Sequence, residues 1–308
     1  MRTWTQAMRG STMELREQIG QYIAEGVQQA LQGEGATALA ALRQALALQP
    51  HQAETHLLQA LIYTQQEKFP EALAACQRAL YLDEHLTEAL VLRGYLYCRG
   101  KKAAAALADL DRVQALRPRW WPVYVIRAWV HSRLERWQDA ERDLQQALKL
   151  EPASGEICYN LGLVYQALGR KDAALEYWGR ALLLQPDLTE AHAQRAAVYG
   201  EMKDYARSLA EYDEWLRSQP EEPRAYYGRG RVRAASGDRW GAIEDFSRVL
   251  ALNPNYGEAW LQRGLAYSVL GQTEAALADA RQAAQIFHQQ GNTTAYHRAR
   301  GLVAYLQK

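Results

Sequence analysis

Histidines, cysteines and a glycine pair are the residues of this sequence that could carry chemistry. The seven histidines form no His-x-x-x-His pair and no HExxH motif, and no cysteine or carboxylate accompanies them at a metal-ligand spacing. Cys76, Cys98 and Cys158 lack the short spacings of a zinc site, so we interpret them as reduced packing residues. Gly228 and Gly230 lie in a predicted helix with no strand before it, which argues against a phosphate-binding loop. We therefore predict no metal, no cofactor, no small-molecule substrate and no catalytic site.

Composition and charge narrow the class of protein. The 308 residues are 48% hydrophobic and 23% charged, with few β-branched residues, which is typical of a folded helical protein. The formal net charge of +1 gives no overall field that would attract nucleic acid or an anionic membrane. No apolar run is long enough to cross a bilayer, and the N-terminus lacks the apolar run of a signal peptide. We expect a soluble cytoplasmic protein without membrane insertion.

The stretch from Gly155 to Pro186 is the clearest copy of a unit that the chain repeats. Apolar and small residues recur at helical spacing on both sides of Gly169, which predicts two amphipathic helices joined by a turn. Proline cannot continue a helix, so Pro186 ends the unit. The same landmarks return every 34 residues in both directions. We therefore predict a chain of tandem helical hairpins.

This unit resembles the tetratricopeptide repeat, whose period is 34 residues. Eight windows run from 19 to 290 without an insertion or deletion, between an N-terminal extension (1–18) and a C-terminal capping helix (291–308). In chain order, repeats 1 to 8 are 19–52, 53–86, 87–120, 121–154, 155–188, 189–222, 223–256 and 257–290. The resemblance implies an all-α fold, an α-solenoid in the form of a right-handed superhelix in which each repeat packs on its neighbours.

The two ends of the chain carry their own helix signals. Ser11 and Glu14 have the spacing of a capping box, which predicts a helix start near Thr12. Asn292 can cap a last helix, and an apolar stripe on that helix is expected to cover the end of repeat 8.

Two positions of the repeat, counted from 1 to 34 in each window, are small throughout. Position 8 is glycine or alanine in all eight windows, and position 20 is alanine in seven and Ser208 in the other. We expect the two helices of a repeat to approach closely at these positions, since larger side chains would push them apart.

Arginine at position 7 coincides with an acid at position 23. Five repeats carry both residues, and the other three carry neither. The pairs are Arg93 with Asp109, Arg127 with Asp143, Arg195 with Glu211, Arg229 with Asp245 and Arg263 with Asp279. Because a guanidinium fork suits a carboxylate and a desolvated arginine needs a partner, we predict ion pairs between the two helices of these repeats rather than a basic binding stripe.

The resemblance also implies a binding surface, the concave face lined by the first helices of the repeats. Positions 5 and 9 of repeats 2 to 5 would place an apolar and aromatic ridge on this face. Its residues are Leu57, Leu61, Val91, Tyr95, Val125, Trp129, Tyr159 and Leu163. An exposed apolar stripe of this extent usually marks a binding site. The alternative is that the N-terminal segment, a neighbouring coil of the chain or a second copy fills the groove.

Repeat 7 carries a secondary basic patch of different character. Arg224, Tyr227 and Arg231 could receive an acidic segment, although a solvated charged face would have the same composition.

Taken together, these patterns predict a non-catalytic scaffold or assembly factor for protein-protein interaction. Its partner would be a helix or peptide segment of a client protein, bound through apolar anchors. One alternative is a nucleic-acid-binding helical-repeat protein that uses the arginines and the tandem residues Trp120 and Trp121, and the near-neutral charge argues against it. Another is a regulatory subunit of an enzyme, which would be a special case of the scaffold.

Overall fold

The computed structural model describes the backbone of residues 2–307 and the side chains of residues 17–307. Over this range the chain is built of helices and contains no strand. The helices are α1 (Arg2–Leu31), α2 (Gly35–Leu48), α3 (Ala53–Gln65), α4 (Phe69–Leu82), α5 (Thr87–Arg99), α6 (Ala103–Leu116), α7 (Trp121–Arg133), α8 (Trp137–Leu150), α9 (Gly155–Ala167), α10 (Lys171–Leu184), α11 (Thr189–Glu201), α12 (Tyr205–Ser218), α13 (Pro223–Ser236), α14 (Arg239–Leu252), α15 (Gly257–Val269), α16 (Thr273–Gln289) and α17 (Thr293–Leu306).

The helix bounds follow the predicted period. From repeat 2 onward, every first helix begins at position 1 of its window and every second helix begins at position 17. First helices of 13 or 14 residues alternate with second helices of 14 residues from α3 to α15. The prediction of an all-α solenoid of tandem helical hairpins is therefore confirmed.

The first helix is the main departure from the predicted bounds. A start near Thr12 is wrong, because α1 begins at Arg2 and runs through the boundary expected after residue 18. Residues 2–18 contain no proline, so no residue in them forces the helix to break.

The chain divides into two compact units at Pro152. The first contains α1 to α8, and the second contains α9 to α17. In each unit the core is made of apolar residues that adjacent helices share. Ala38 and Leu42 pack with Ile62 in the first unit, and Val249 packs with Ala259 in the second.

The C-terminal helix covers repeat 8 as predicted. Asn292 caps α17, its side-chain oxygen accepting a hydrogen bond of 3.1 Å from the backbone N–H of Ala295. Ala299 and Val303 of this helix are buried against Phe287 of α16. The last full hairpin therefore does not leave its apolar face open to solvent.

Close approach of the two helices explains the small residues at position 8. A methyl group at Gly162 would overlap the ring of Trp178, which is fully buried and donates its indole N–H to the carbonyl oxygen of Tyr159 at 3.2 Å. A methyl group at Gly230 would lie 2.8 Å from Phe246. Each glycine thus makes room for a large side chain from the opposite helix.

Position 20 is fully buried in all eight repeats. The buried residues are Ala38, Ala72, Ala106, Ala140, Ala174, Ser208, Ala242 and Ala276. Ser208 satisfies its hydroxyl by donating to the carbonyl oxygen of Ala196 across the hairpin at 2.7 Å. The expected close contact of the two helices is confirmed at both small positions.

The turn between the two helices contains one left-handed residue, always at position 15. Four repeats have glycine there, and the others have Glu67, Lys101, Glu135 and Lys203 at φ between 56° and 60°. In repeat 5 the N–H of Gly169 donates to the carbonyl of Gln166, and that of Arg170 donates to the carbonyl of Tyr165. These two bonds form a Schellman motif, which closes the end of the first helix.

Gly162 has no room for a methyl group beside Trp178, so we expect its replacement by alanine to destabilise the protein. Gly162→Ala should lower the free energy of unfolding by about 1–3 kcal/mol, because the added methyl group must displace the Trp178 ring. The control is Gly301→Ala, where an added methyl group meets nothing within 4 Å and where alanine should stabilise the helix by up to about 1 kcal/mol. Urea unfolding followed by circular dichroism measures both. Equal effects of the two variants would contradict the close approach.

The left-handed turn residues set a second prediction. Glu135→Gly should raise the free energy of unfolding by roughly 0.5–1 kcal/mol, since glycine adopts positive φ without the clash of a β-carbon. Glu135→Ala removes the same carboxylate and keeps the β-carbon, so it should give no such gain. Thermal unfolding of the three proteins distinguishes backbone strain from loss of the side-chain charge.

Candidate functional site

Six of the eight predicted ridge residues lie on α3, α5 and α7, which are the first helices of repeats 2, 3 and 4. Residues at positions 5 and 9 are four apart, so they lie on the same face of their helix. The pairs are Leu57 with Leu61 on α3, Val91 with Tyr95 on α5, and Val125 with Trp129 on α7. None of these six side chains is buried, and Leu61 and Trp129 are 43% and 40% exposed.

A ring contact between repeats 3 and 4 connects two residues of this ridge. The rings of Tyr95 and Trp129 stack with centroids 5.9 Å apart and an interplanar angle of 24°. The guanidinium of Arg99 donates to the hydroxyl of Tyr95 at 3.3 Å. The two rings therefore present one aromatic surface with a partly fixed orientation.

Apolar side chains of α1 extend the surface beside Leu61 toward the N-terminus. Beside Leu61 lies an apolar pocket of about 120 Å³, whose lining includes Val27, Leu31 and Leu58. Leu31 is 85% exposed. Val27 occupies position 9 of repeat 1, the same register as Leu61 and Tyr95, so the repeat alignment could have included it.

The two remaining predicted ridge residues lie in the second unit. Tyr159 and Leu163 are on α9, and both are half-buried. Burial raises the pKa of the Tyr159 hydroxyl above its ordinary value.

Position 12 offers the ridge few polar groups. The hydroxyls of Thr64 and Ser132 donate to the carbonyl oxygens of Ala60 and Ala128 one turn earlier in their own helices. Cys98 is buried at the same position. Because these groups are already satisfied or covered, the chemistry of the ridge is that of apolar and aromatic contact.

The secondary basic patch is less basic than its sequence indicates. Arg224 forms an ion pair with Glu222 at 2.9 Å and lies over the ring of Trp215. Burial raises the pKa of Tyr227 to about 12, and Arg231 lies over the ring of Tyr227. Of the two arginines, only Arg231 has no ion pair within the part of the chain that the structure describes.

All five predicted arginine pairs are present. Arg263 is typical, with Nε and Nη2 donating to the two carboxylate oxygens of Asp279 at 2.8 and 2.9 Å. The same residue positions meet in Arg93 with Asp109, Arg127 with Asp143, Arg195 with Glu211 and Arg229 with Asp245. The prediction that these arginines are structural is confirmed.

Three of these arginines also reach the second helix of the preceding repeat. Nη1 of Arg127 contacts Asp111 at 2.8 Å, and Nη1 of Arg229 contacts Asp213 at 2.6 Å. Nη1 of Arg263 donates to Ser247 at 2.9 Å. These acceptors all occupy position 25. The relation between position 7 and position 25 of the preceding repeat was not predicted, although an alignment of the repeats contains it.

Other residues that might have carried chemistry are buried or bonded. Burial raises the pKa of Cys76 to about 12, and all three cysteines are buried. Burial lowers the pKa of His131, while His192 lies 2.8 Å from Glu211. Among the described residues, no group of three or more histidines, cysteines and acids could hold a metal ion. No described helix combines the length and the apolar character needed to cross a membrane.

Tandem hairpins of two helices, with small residues at fixed positions and a 34-residue period, define a helical-repeat protein. Models of the tetratricopeptide repeat match residues 31–86, 155–188, 193–238 and 246–278, together more than half of the chain. The chain belongs to the tetratricopeptide repeat family. Repeats of this family are generally non-catalytic, and the fold indicates a scaffold for protein-protein interaction.

Solved structures of the same architecture agree with this assignment. A tetratricopeptide repeat protein from Parabacteroides merdae superposes with a TM-score of 0.61 at 19% identity, over 81% of this chain and 99% of that one. The C-terminal part of a repeat protein from Cytophaga hutchinsonii gives 0.58 at 14% identity, over 69% and 93%. PilF of Pseudomonas aeruginosa gives 0.56 at 18% identity, over 71% and 96%. At these identities the similarity shows the fold alone. No curated protein matches the sequence significantly.

The structural role of the arginines sets a third prediction. Arg263→Leu should lower the free energy of unfolding by about 3–5 kcal/mol, because it leaves the carboxylate of Asp279 buried without its partner. Adding Asp279→Leu should recover most of that loss. The exposed pair of Arg217 and Glu214 is the control, where Arg217→Ala should leave the free energy of unfolding almost unchanged because solvent screens the pair. Urea unfolding measures all variants, and a small cost for Arg263→Leu alone would contradict a structural role.

Proposed function

We propose that this protein is a non-catalytic scaffold that binds a helix or extended peptide segment of a client protein along the apolar ridge. The observation that carries the proposal is the exposed apolar and aromatic surface on α3, α5 and α7, where Leu61 and Trp129 remain about two-fifths exposed. An apolar stripe exposed on a folded protein usually marks an interaction site.

The composition of the ridge favours one kind of partner. Aromatic anchors such as Tyr95 and Trp129 tend to dominate affinity at interfaces. The position-12 hydroxyls bond to their own helices, so affinity would come from apolar side chains of the client. An amphipathic helix or an extended segment with spaced apolar residues meets this requirement. An assembly factor that holds such a segment before it packs elsewhere fits the same chemistry.

Two features weigh against nucleic acid as the ligand. The five position-7 arginines form ion pairs inside their own repeats. Arg117 contacts Glu88 at 3.0 Å and lies over the ring of Trp120, so the charge beside the tandem tryptophans is partly neutralised.

A charge placed on the ridge tests the proposal. Leu61→Glu combined with Trp129→Glu should weaken client binding by tenfold or more, because loss of one central anchor alone typically costs about 2 kcal/mol. The matched control is Tyr81→Glu combined with Leu116→Glu, since both residues are exposed apolar side chains on second helices of the same unit. Pull-down from native lysate with mass spectrometry compares the three proteins after circular dichroism shows that all are folded.

A photo-crosslinking residue at position 129 identifies the occupant of the ridge. Crosslinks to a client that the ridge variant fails to capture and the control variant retains would support the proposal. Equal capture by wild type and ridge variant would contradict it. Crosslinks to residues 1–18 or to a second copy would show instead that the chain fills its own groove.

A further inference from the structure

The junction between repeats 5 and 6 lacks an interaction that three other junctions have. At those three, Nη1 of the position-7 arginine reaches a side-chain oxygen at position 25 of the preceding repeat, with distances between 2.6 and 2.9 Å. At Arg195 the preceding position 25 is Gly179, which has no side chain to offer. The place that an aspartate fills beside Arg127 and Arg229 is therefore vacant.

The vacancy lies in an open cleft within the second unit. The cleft, which we call the Gly179 cleft, lies between α10 and α12 above His192 and Arg195 of α11, and has a volume of about 810 Å³. A β-carbon built on Gly179 would meet nothing within 4 Å. Apolar residues form much of its wall, namely Leu175, Leu182, Leu183 and Pro186. Leu183 is 84% exposed, so apolar surface there is uncovered.

Arg195 also holds its own carboxylate less completely than the other arginines do. Its Nη2 contacts Oε1 of Glu211 at 3.0 Å, while Oε2 of Glu211 is taken by Nδ1 of His192 at 2.8 Å. Its Nε is buried without a hydrogen-bond partner. By contrast, Arg263 uses both Nε and Nη2 on Asp279. Nη1, the atom that reaches position 25 at the other three junctions, meets no side chain at that position here because the residue is Gly179.

Other charged side chains also line the cleft. Arg217 pairs with Glu214 on α12. Arg180 lies over the ring of Tyr177 at 5.1 Å, and Glu176 lines the cleft one turn before it. Arg195 differs from Arg180 and Arg217 because its counterparts in two other repeats, Arg127 and Arg229, contact an aspartate from the preceding repeat.

We propose that the Gly179 cleft is a second interaction surface, which receives a carboxylate side chain of a partner polypeptide next to an apolar residue. Two other junctions show which group a position-7 arginine binds at this place, because Arg127 contacts Asp111 and Arg229 contacts Asp213. A charge-assisted hydrogen bond to the guanidinium provides specificity. The apolar residue next to the acid in the partner polypeptide would cover Leu183. This surface is separate from the ridge on α3, α5 and α7.

A capped tripeptide, N-acetyl-Leu-Asp-Leu-amide, is the probe, and its Asn counterpart is the neutral control. Titration is followed by the NMR signals of the arginine side-chain N–H groups. In the wild-type protein the Asp peptide should shift the Arg195 signals saturably, and the Asn peptide should bind about tenfold or more weakly. Gly179→Asp should abolish the shift, because the new carboxylate takes the place of the probe. Gly179→Ala should retain it.

A reciprocal variant tests the same geometry at the next junction. Asp213→Gly opens the corresponding place beside Arg229, so the Arg229 signals should become sensitive to the Asp peptide. Circular dichroism checks that each variant is folded. The proposal is overturned if no saturable shift occurs, if the Asp and Asn peptides bind equally, or if Gly179→Asp binds like wild type. The first result would describe a cleft that holds solvent only, and the other two would describe peptide binding that does not use the guanidinium of Arg195. Ridge variants should leave this titration unchanged, so the two surfaces can fail independently.

Discussion

Close approach of two helices within each repeat is the constraint on which the rest of the structure depends. Helices of 13 or 14 residues are too short to be stable alone, so they must bury their apolar faces against each other. Gly162 permits this contact because it leaves space for the ring of Trp178. Position 20 permits it because its side chain, alanine or serine, is small and fully buried in every repeat. Trp178 and Phe246 are the clearest cases, since Gly162 and Gly230 on the facing helices leave the space that these rings occupy.

The close approach of the two helices also determines where a charged side chain of the hairpin must find its partner. An arginine at position 7 is drawn into the hairpin and loses water, and a carboxylate at position 23 compensates for that loss. Asp245 shows the cost, because burial raises its pKa above the ordinary value even though Arg229 opposes the shift. The position-25 acceptors then tie the arginine to the preceding repeat. Repeat 6 deviates because His192 competes for Glu211 and Gly179 supplies no acceptor.

The two proposed binding surfaces are simple in chemical character. In the first unit the ridge presents apolar and aromatic side chains, with the hydroxyls beside it bonded to their own helices. In the second unit the Gly179 cleft combines an apolar wall with one incompletely paired guanidinium. One surface suits apolar anchors, and the other suits an acid beside an apolar residue.

The helix period, the small positions and the five ion pairs could be predicted from the sequence, because each is a relation between residues that recurs along the chain, in all eight repeats for the first two and in five repeats for the ion pairs. The repeat register also places Leu61 and Trp129 at positions that are exposed in the structure, and the same register includes Val27. The start of α1, the pairing of Arg224 with Glu222 and the sharing of Glu211 between Arg195 and His192 could be read only from the folded structure. The last two depend on which side chains meet across a gap of a few ångströms, and a periodic pattern does not contain that distance.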